Sequence, residues 1–145
     1  MYCILLPAIY LIICSFTDIK SMKISLPLSL MFSLTGILLS LFSLTNHQNI
    51  FDLILSVSAG LLIILASFIS RGSIGIGDGF IISVIGCFHS SWITVCVIAY
   101  SFFIAAVFCL ILILLKKQSK GVKIPFAPFI LIGYIFNFLT SVKLI

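Results

Sequence analysis

Charged side chains are scarce in this sequence, and acidic ones are the scarcest. Only 8% of the 145 residues are charged and 63% are hydrophobic; there is no glutamate, and the three acidic residues are Asp18, Asp52 and Asp78. A soluble domain of ordinary composition has roughly a quarter charged residues. This chain cannot cover its surface with polar groups, so membrane lipid must be its solvent. The composition predicts an all-α, polytopic membrane protein whose residues 1–145 form a single membrane-embedded domain.

Paired cysteines are also missing. None of the five cysteines has the CxxC spacing of a zinc or redox site. Each lies in or near an apolar run, so we interpret them as small hydrophobic residues and expect no metal and no other cofactor. The N-terminus has neither a basic leader nor a small-residue cleavage site, so we expect no removable signal peptide.

Six apolar runs are separated by polar breaks. The run that starts at Gly79 and ends at Leu115 would be roughly 55 Å long as one helix, which is too long for one bilayer crossing. We therefore expect a break at His89-Ser90-Ser91-Trp92, with the tryptophan at a membrane interface. The six predicted spans are about 2–17, 26–44, 51–70, 74–88, 92–115 and 125–139.

The basic residues give the orientation of the six spans. The net charge of +5 does not predict a nucleic-acid partner, because the cations stand between apolar runs, where they act as topology signals. Alternating loops place seven of the eight on one face: Lys20, Lys23, Arg71, Lys116, Lys117, Lys120 and Lys123. By the positive-inside rule this face is cytoplasmic, which predicts a plasma-membrane protein with both termini outside. Asp18 and Asp78 fall on the cytoplasmic face, and Asp52 falls on the other.

The stretch Gly75-Ile76-Gly77-Asp78-Gly79 places a carboxylate at the head of an apolar run. Such a group is costly in a membrane and indicates function. Paired with Asp18, it would share one proton, so that one carboxylate draws a proton from water while the other donates one. The glycines would let the backbone turn and a substrate strand pass close by. The structural alternatives are a helix N-cap for Asp78 and a pairing of Asp18 with Lys20 or Lys23.

The remaining polar residues predict no chemistry. We interpret Asp52 as a solvent-side residue in a first helical turn. His47 and His89 fall on the outer face and are not expected to act as ligands or bases. Tyr134 and Asn137 are expected to form hydrogen bonds between helices.

Small residues recur at helical spacing in three spans, as is typical of close helix packing in membranes. They are Ser56 and Gly60 in span three, Gly79, Ser83 and Gly86 in span four, and Ser101, Ala105 and Cys109 in span five.

Three segments resemble the type IV prepilin peptidase family, membrane aspartic proteases of the GxGD kind. Residues 18–27 resemble the family's first catalytic aspartate with its short basic loop and hydrophobic-Pro pair. Gly75-Ile76-Gly77-Asp78 resembles the second catalytic motif. Lys123-Ile124-Pro125-Phe126-Ala127-Pro128-Phe129 resembles the segment that opens the last span. The order, the spacing and the six-span layout also fit.

This resemblance implies an activity and a substrate. The family cleaves prepilin-like precursor proteins at the cytoplasmic face, between a short basic leader that usually ends in Gly and a hydrophobic helix that often begins with Phe. By resemblance, Asp18 and Asp78 would be the catalytic pair that activates water. The residues expected to line the substrate groove are Gly75, Gly77, Gly79, Pro125, Phe126 and Pro128.

The sequence departs from the family pattern at three points. Phe80 stands where many members have Lys, and Ala127 stands where Gly is common. The chain also has neither the room nor the paired cysteines for the N-terminal domain of the larger members, which also methylate the new N-terminus. We therefore expect a form with peptidase activity only.

Three other functions fit parts of the pattern. A signal-peptide-peptidase-like enzyme would share the GxGD motif, but the order of spans and the short basic loop argue against it. A small proton- or cation-coupled transporter could use both aspartates as ion ligands, yet the sequence shows no internal repeat. A non-catalytic assembly factor could keep the fold and lose the family lysine.

Overall fold

The computed structural model describes residues 2–21, 24–42, 49–70, 75–115 and 124–143. These residues form six helices and no strand, which confirms the all-α, six-helix prediction. The helices are α1 (Tyr2–Ser21), α2 (Leu26–Leu41), α3 (Ile50–Ile69), α4 (Ile76–Phe88), α5 (Ser91–Leu114) and α6 (Ala127–Lys143).

Long and short helices alternate along the chain. The odd-numbered helices contain apolar stretches of 18, 20 and 24 residues, each long enough to cross a membrane, whereas α2, α4 and α6 are shorter apolar helices. The predicted break between spans four and five is confirmed: α4 ends at Phe88, and His89 and Ser90 have extended backbone before α5 starts. In α2 a proline lies in the first turn, where its missing N–H leaves no hydrogen bond unmade.

Helix α4 is the centre of the bundle. It packs against α1, α2, α3 and α5, while α6 packs against α1 and α5. From Ile81 to Phe88 its hydrophobic side chains are at most 1% exposed. The apolar run after the Gly-Asp stretch is therefore the protein core, and Asp78 stands at the start of that core helix.

Small residues let α3 and α4 approach closely, as predicted. A Cβ added to Gly60 would contact the Ser83 side chain and lie 2.7 Å from the carbonyl oxygen of Gly79. The hydroxyl of Ser56 donates to the carbonyl oxygen of Gly86 at 2.8 Å. The two helices are thus held backbone to backbone along their length.

A second close approach joins α5 and α6. A Cβ added to Gly133 would lie 2.5 Å from the Oγ of Ser101 and 3.1 Å from the carbonyl oxygen of Val97. The packing role predicted for Ser101 is confirmed. The sequence pattern did not predict its contact with Gly133 of α6.

The arrangement of the helices gives the bundle two chemically different ends. The end of α1 and the starts of α4 and α6 meet at the carboxylate end, which holds Asp18, Asp78 and Ala127. The start of α1 and the end of α4 meet at the opposite end, which we call the histidine end because His89 lies there.

At the histidine end, His89 is fully buried rather than simply placed on an outer face. Its Nε2 lies 2.8 Å from the hydroxyl of Tyr134, which donates to the carbonyl oxygen of Ile4 at 3.1 Å. Because that hydroxyl has one hydrogen, its oxygen accepts from Nε2–H of His89. The interhelical role predicted for Tyr134 is confirmed, since these bonds join α1, α4 and α6.

Asp52 lies in the first turn of α3, as predicted, but its side chain does not simply face solvent. Its side chain is half-buried, and its Oδ1 accepts the backbone N–H of Ser91 at 3.0 Å and the Ser91 hydroxyl at 2.5 Å. Helices α3 and α5 both start at this end, so the carboxylate in the first turn of one helix can cap the first turn of the other. Sequence spacing gave no sign of this contact, which joins residues 39 positions apart.

The predicted orientation in the membrane stays a prediction. Of the seven cations assigned to the cytoplasmic face, Lys20 lies among the described residues, at the last turn of α1. The other six lie outside the described residues, as does His47.

Candidate active site

Asp18 is held at the carboxylate end by two helices. It follows Tyr10 and Cys14 at four-residue intervals along the buried face of α1 and is 7% exposed. Its Oδ2 accepts the backbone N–H of Ala127, the first residue of α6, at 3.1 Å. The first N–H groups of a helix have no partner within the helix, so the carboxylate satisfies a donor that burial would otherwise leave unmet.

Asp78 is the third residue of α4 and lies beside its own N-cap. Its backbone N–H donates to the carbonyl oxygen of Gly75 at 3.1 Å. A Cβ added to Gly75 would lie 2.7 Å from Oδ2 of Asp78. The absence of a side chain at position 75 therefore makes room for the carboxylate over the helix start.

The two carboxylates share one site. The two carboxyl groups lie close enough to interact electrostatically. The structure thus brings together the two residues that the sequence pairs, from the last turn of α1 and the first turn of α4. Two carboxylates that lie close together do not both ionise easily and can hold one proton between them. This arrangement can accept one proton and donate another in the same reaction.

Sequence reasoning missed the contact of Ile24 with this site. A Cβ added to Gly77 would lie 2.5 Å from Cδ1 and 3.1 Å from Cβ of Ile24. Ile24, from the connection between α1 and α2, therefore packs directly on the first turn of α4 beside Asp78. Contact of Gly77 with substrate stays a prediction.

Gly79 faces another helix. A Cβ at this position would lie 2.5 Å from Cγ1 of Ile64 and 3.0 Å from the carbonyl oxygen of Gly60. Its observed neighbours are therefore residues of α3, as the small-residue pattern predicts. The separate expectation that Gly79 lines the substrate groove has no such contact in its favour and stays a prediction.

The segment before α6 leads directly to Ala127, which contacts Asp18. Ile124, Pro125 and Phe126 are outside regular structure, and both Pro125 and Pro128 are half-buried. The Phe126 ring lies 5.2 Å from that of Phe102 in α5. This segment is linked to Asp18 through Ala127, so it borders the candidate site, while its contact with substrate stays a prediction.

Within the described residues, no three His, Cys, Asp or Glu side chains are grouped so that they could hold a metal ion. The carboxylate end brings together two such side chains, Asp18 and Asp78. Two carboxylates that share a proton are suited to acid–base chemistry.

Comparison with known proteins gives one family. The model of the type IV leader peptidase family matches residues 5–114. No curated protein and no solved structure matches the chain. The matched region includes Asp18 and the Gly75–Asp78 motif and ends before α6. Because it spans more than half of the sequence, the chain belongs to the type IV leader peptidase family and is a protease.

Proposed function

We propose that this protein is an aspartic endopeptidase that removes the short basic leader from type IV prepilin-like precursors at the cytoplasmic face of the plasma membrane. The observation that carries the proposal is the juxtaposition of Asp18 and Asp78. The two aspartates come from different helices, meet at one end of the bundle, and lie within the region that matches the family.

The proposed chemistry uses one water molecule and the shared proton of the two aspartates. The ionised carboxylate takes a proton from water as the water oxygen attacks the scissile carbonyl carbon. The protonated carboxyl donates to the carbonyl oxygen, and collapse of the tetrahedral intermediate then breaks the C–N bond while the leaving nitrogen takes up a proton. In this scheme the water is activated by a carboxylate.

The residues around the two aspartates suggest how a precursor would bind. The irregular segment before α6 and Gly75 border the carboxylates, and the precursor peptide would lie along them. We assign substrate contacts to Gly75, Pro125, Phe126 and Pro128. For Gly77 and Gly79 we propose a supporting role, because they let Ile24 and α3 approach the first turn of α4. Methylation of the new N-terminus is not part of the proposed activity.

Leader cleavage in membranes tests the assignment. The protein is co-expressed with a prepilin-like substrate, and the leader is followed by gel shift and mass spectrometry. Asp18→Asn and Asp78→Asn are each expected to abolish cleavage. Asp52→Asn is the matched control: it removes the third carboxylate of the chain and keeps an oxygen that can accept from Ser91.

The outcomes separate the alternatives. Cleavage that survives Asp18→Asn or Asp78→Asn rules out the aspartate pair. An inactive wild-type protein on several prepilin-like substrates would contradict the proposed substrate class. Loss of cleavage in the control as well would point to damage to the fold rather than to chemistry.

A further inference from the structure

Each backbone N–H group in the first turn of α6 has an identified hydrogen-bond acceptor. Pro128 has no N–H, while the N–H groups of Phe129 and Ile130 both donate to the carbonyl oxygen of Phe126, at 3.0 and 3.3 Å. The N–H of Ala127 is the remaining donor of this turn, and it is directed to Oδ2 of Asp18. The start of α6 therefore presents one N–H to one carboxylate.

This donor distinguishes the two aspartates. A backbone N–H that donates to a carboxylate stabilises its ionised form, and the positive end of the α6 dipole acts in the same direction. Asp18 receives this donor from another helix at a site where it is 7% exposed. No described residue donates a hydrogen bond to the Asp78 carboxyl group.

We propose that Ala127 is a positioning residue whose N–H holds the Asp18 carboxylate in place and stabilises its negative charge, so that Asp18 is the general base and Asp78 is the general acid. This inference rests on the proposed function and deepens it. In the step, the Asp18 carboxylate accepts the proton of the attacking water as the O–C bond forms. The Asp78 hydroxyl gives its proton to the carbonyl oxygen. When the C–N bond breaks, the proton on Asp18 passes to the leaving nitrogen and the hydroxyl of the intermediate returns its proton to Asp78.

Among the described residues, few other ionisable groups lie near Asp18, and Lys20 in the same turn of α1 is exposed. Cys14 of its own helix interacts with it electrostatically, as does Asp78 of α4. The described part of α2 has no ionisable side chain, and the ionisable side chain described in α6 is that of Tyr134, beyond its first turn.

Ala127→Pro deletes this N–H at a helix position that tolerates proline. The preceding residue, Phe126, is already outside the helix, as a residue before proline prefers. Ala127→Val is the matched control, because it adds comparable bulk at the same buried position and keeps the N–H. We expect Ala127→Pro to lower kcat about 10- to 150-fold relative to Ala127→Val, the range for one hydrogen bond to a charged group. The loss should shrink as pH rises, because a higher pH restores the ionised form of Asp18.

A second measurement does not depend on the proline variant. The chain has three carboxylic side chains, so double variants leave one each: Asp52→Asn with Asp78→Asn leaves Asp18, and Asp52→Asn with Asp18→Asn leaves Asp78. Infrared spectra of each protein in lipid nanodiscs report the carbonyl band of the protonated carboxyl group against pH. The protonated band of Asp18 is expected to appear only at a lower pH than that of Asp78.

Three results would overturn the inference. If Asp78 ionises at a lower pH than Asp18, the roles are reversed. If Ala127→Pro cleaves at the rate of Ala127→Val while Asp18→Asn and Asp78→Asn are inactive, the N–H has no positioning role and the aspartate pair stands. A loss in Ala127→Pro that is equal at every pH indicates a structural defect only and also contradicts the inference. Cleavage by Asp18→Asn or Asp78→Asn instead refutes the proposed function itself.

Discussion

Gly60 of α3 is the position where one methyl group tests how the fold holds Asp78. A Cβ added there would contact Oγ of Ser83 and lie 2.5 Å from the Ser83 backbone nitrogen and 2.7 Å from the Gly79 carbonyl oxygen. Ordinary van der Waals contact starts at 3.4 Å. Because backbone atoms of α4 take part, a side-chain rotation cannot relieve the overlap, and Gly60→Ala must shift α4 relative to α3 by roughly 1 Å.

Such a shift has two expected effects. Overpacking of this kind lowers the free energy of unfolding by about 1–3 kcal/mol. Asp78 directly precedes Gly79, so it moves with the displaced turn, and a misplacement of about 1 Å at a catalytic group lowers the rate about 100-fold. We therefore expect Gly60→Ala to cleave a prepilin-like substrate about 100-fold more slowly than wild type and to unfold at a lower temperature.

The assay combines initial rates of leader cleavage in membranes with thermal unfolding of the purified protein in detergent. Ala99→Val is the control, because it adds bulk to an exposed position of α5. In a Gly60→Ala background, Ser83→Ala removes the hydroxyl and leaves both backbone contacts, so it should not restore the rate. A wild-type rate in Gly60→Ala, or full rescue by Ser83→Ala, would refute the argument that backbone packing positions Asp78.

Three further substitutions test contacts away from the carboxylates by their effect on the free energy of unfolding. Tyr134→Phe removes the hydroxyl that joins His89 to α1 and is expected to cost about 1–3 kcal/mol, because its partner His89 is buried. Tyr10→Phe is expected to cost about 0.5–1.5 kcal/mol, because its α2 partner, Ser29, keeps a second hydrogen bond within α2. Asp52→Ala removes the cap on α5 and should cost about 0.5–2 kcal/mol. The Tyr134 and Asp52 variants should keep wild-type cleavage rates, because both lie far from the carboxylate end; a fall in rate without a fall in stability would contradict that placement.

The sequence predicts those features that follow from local composition and period. The helix break at His89 follows from bilayer thickness, because a single helix through residues 79–115 would be too long to cross once. The approach of α3 to α4 follows from glycine and serine at helical spacing, since only small side chains let two backbones come that close. The pairing of Asp18 with Asp78 follows from counting spans, which places both at the same end.

The contacts that the sequence does not reveal are long-range ones made by the backbone or by a loop. The hydrogen bond from Ala127 to Asp18 joins residues 109 positions apart and uses an N–H, which every residue except proline has. Ile24 packs on Gly77 through the connection between α1 and α2, where no helical period exists to place a side chain. Such contacts depend on how whole helices are arranged, and spacing within one segment has no information about that arrangement.

The alternation of long and short helices has a consequence for the surrounding lipid. Helix α4 has 13 residues, about 20 Å, whereas α5 has 24 residues, about 36 Å. A typical hydrocarbon layer is about 30 Å thick, so α5 covers it with length to spare and α4 leaves about a third of it uncovered.

Asp78 lies ten residues, about 15 Å, from the end of α4 at Phe88. A bilayer of ordinary thickness would place it near half depth, out of reach of the water that hydrolysis consumes. Thinning of the lipid next to the short helices would bring headgroups and water toward the carboxylates, at a cost of a fraction of a kcal/mol per Å of mismatch. We therefore expect the acyl-chain length of the host membrane to affect the cleavage rate, with faster cleavage in thinner bilayers.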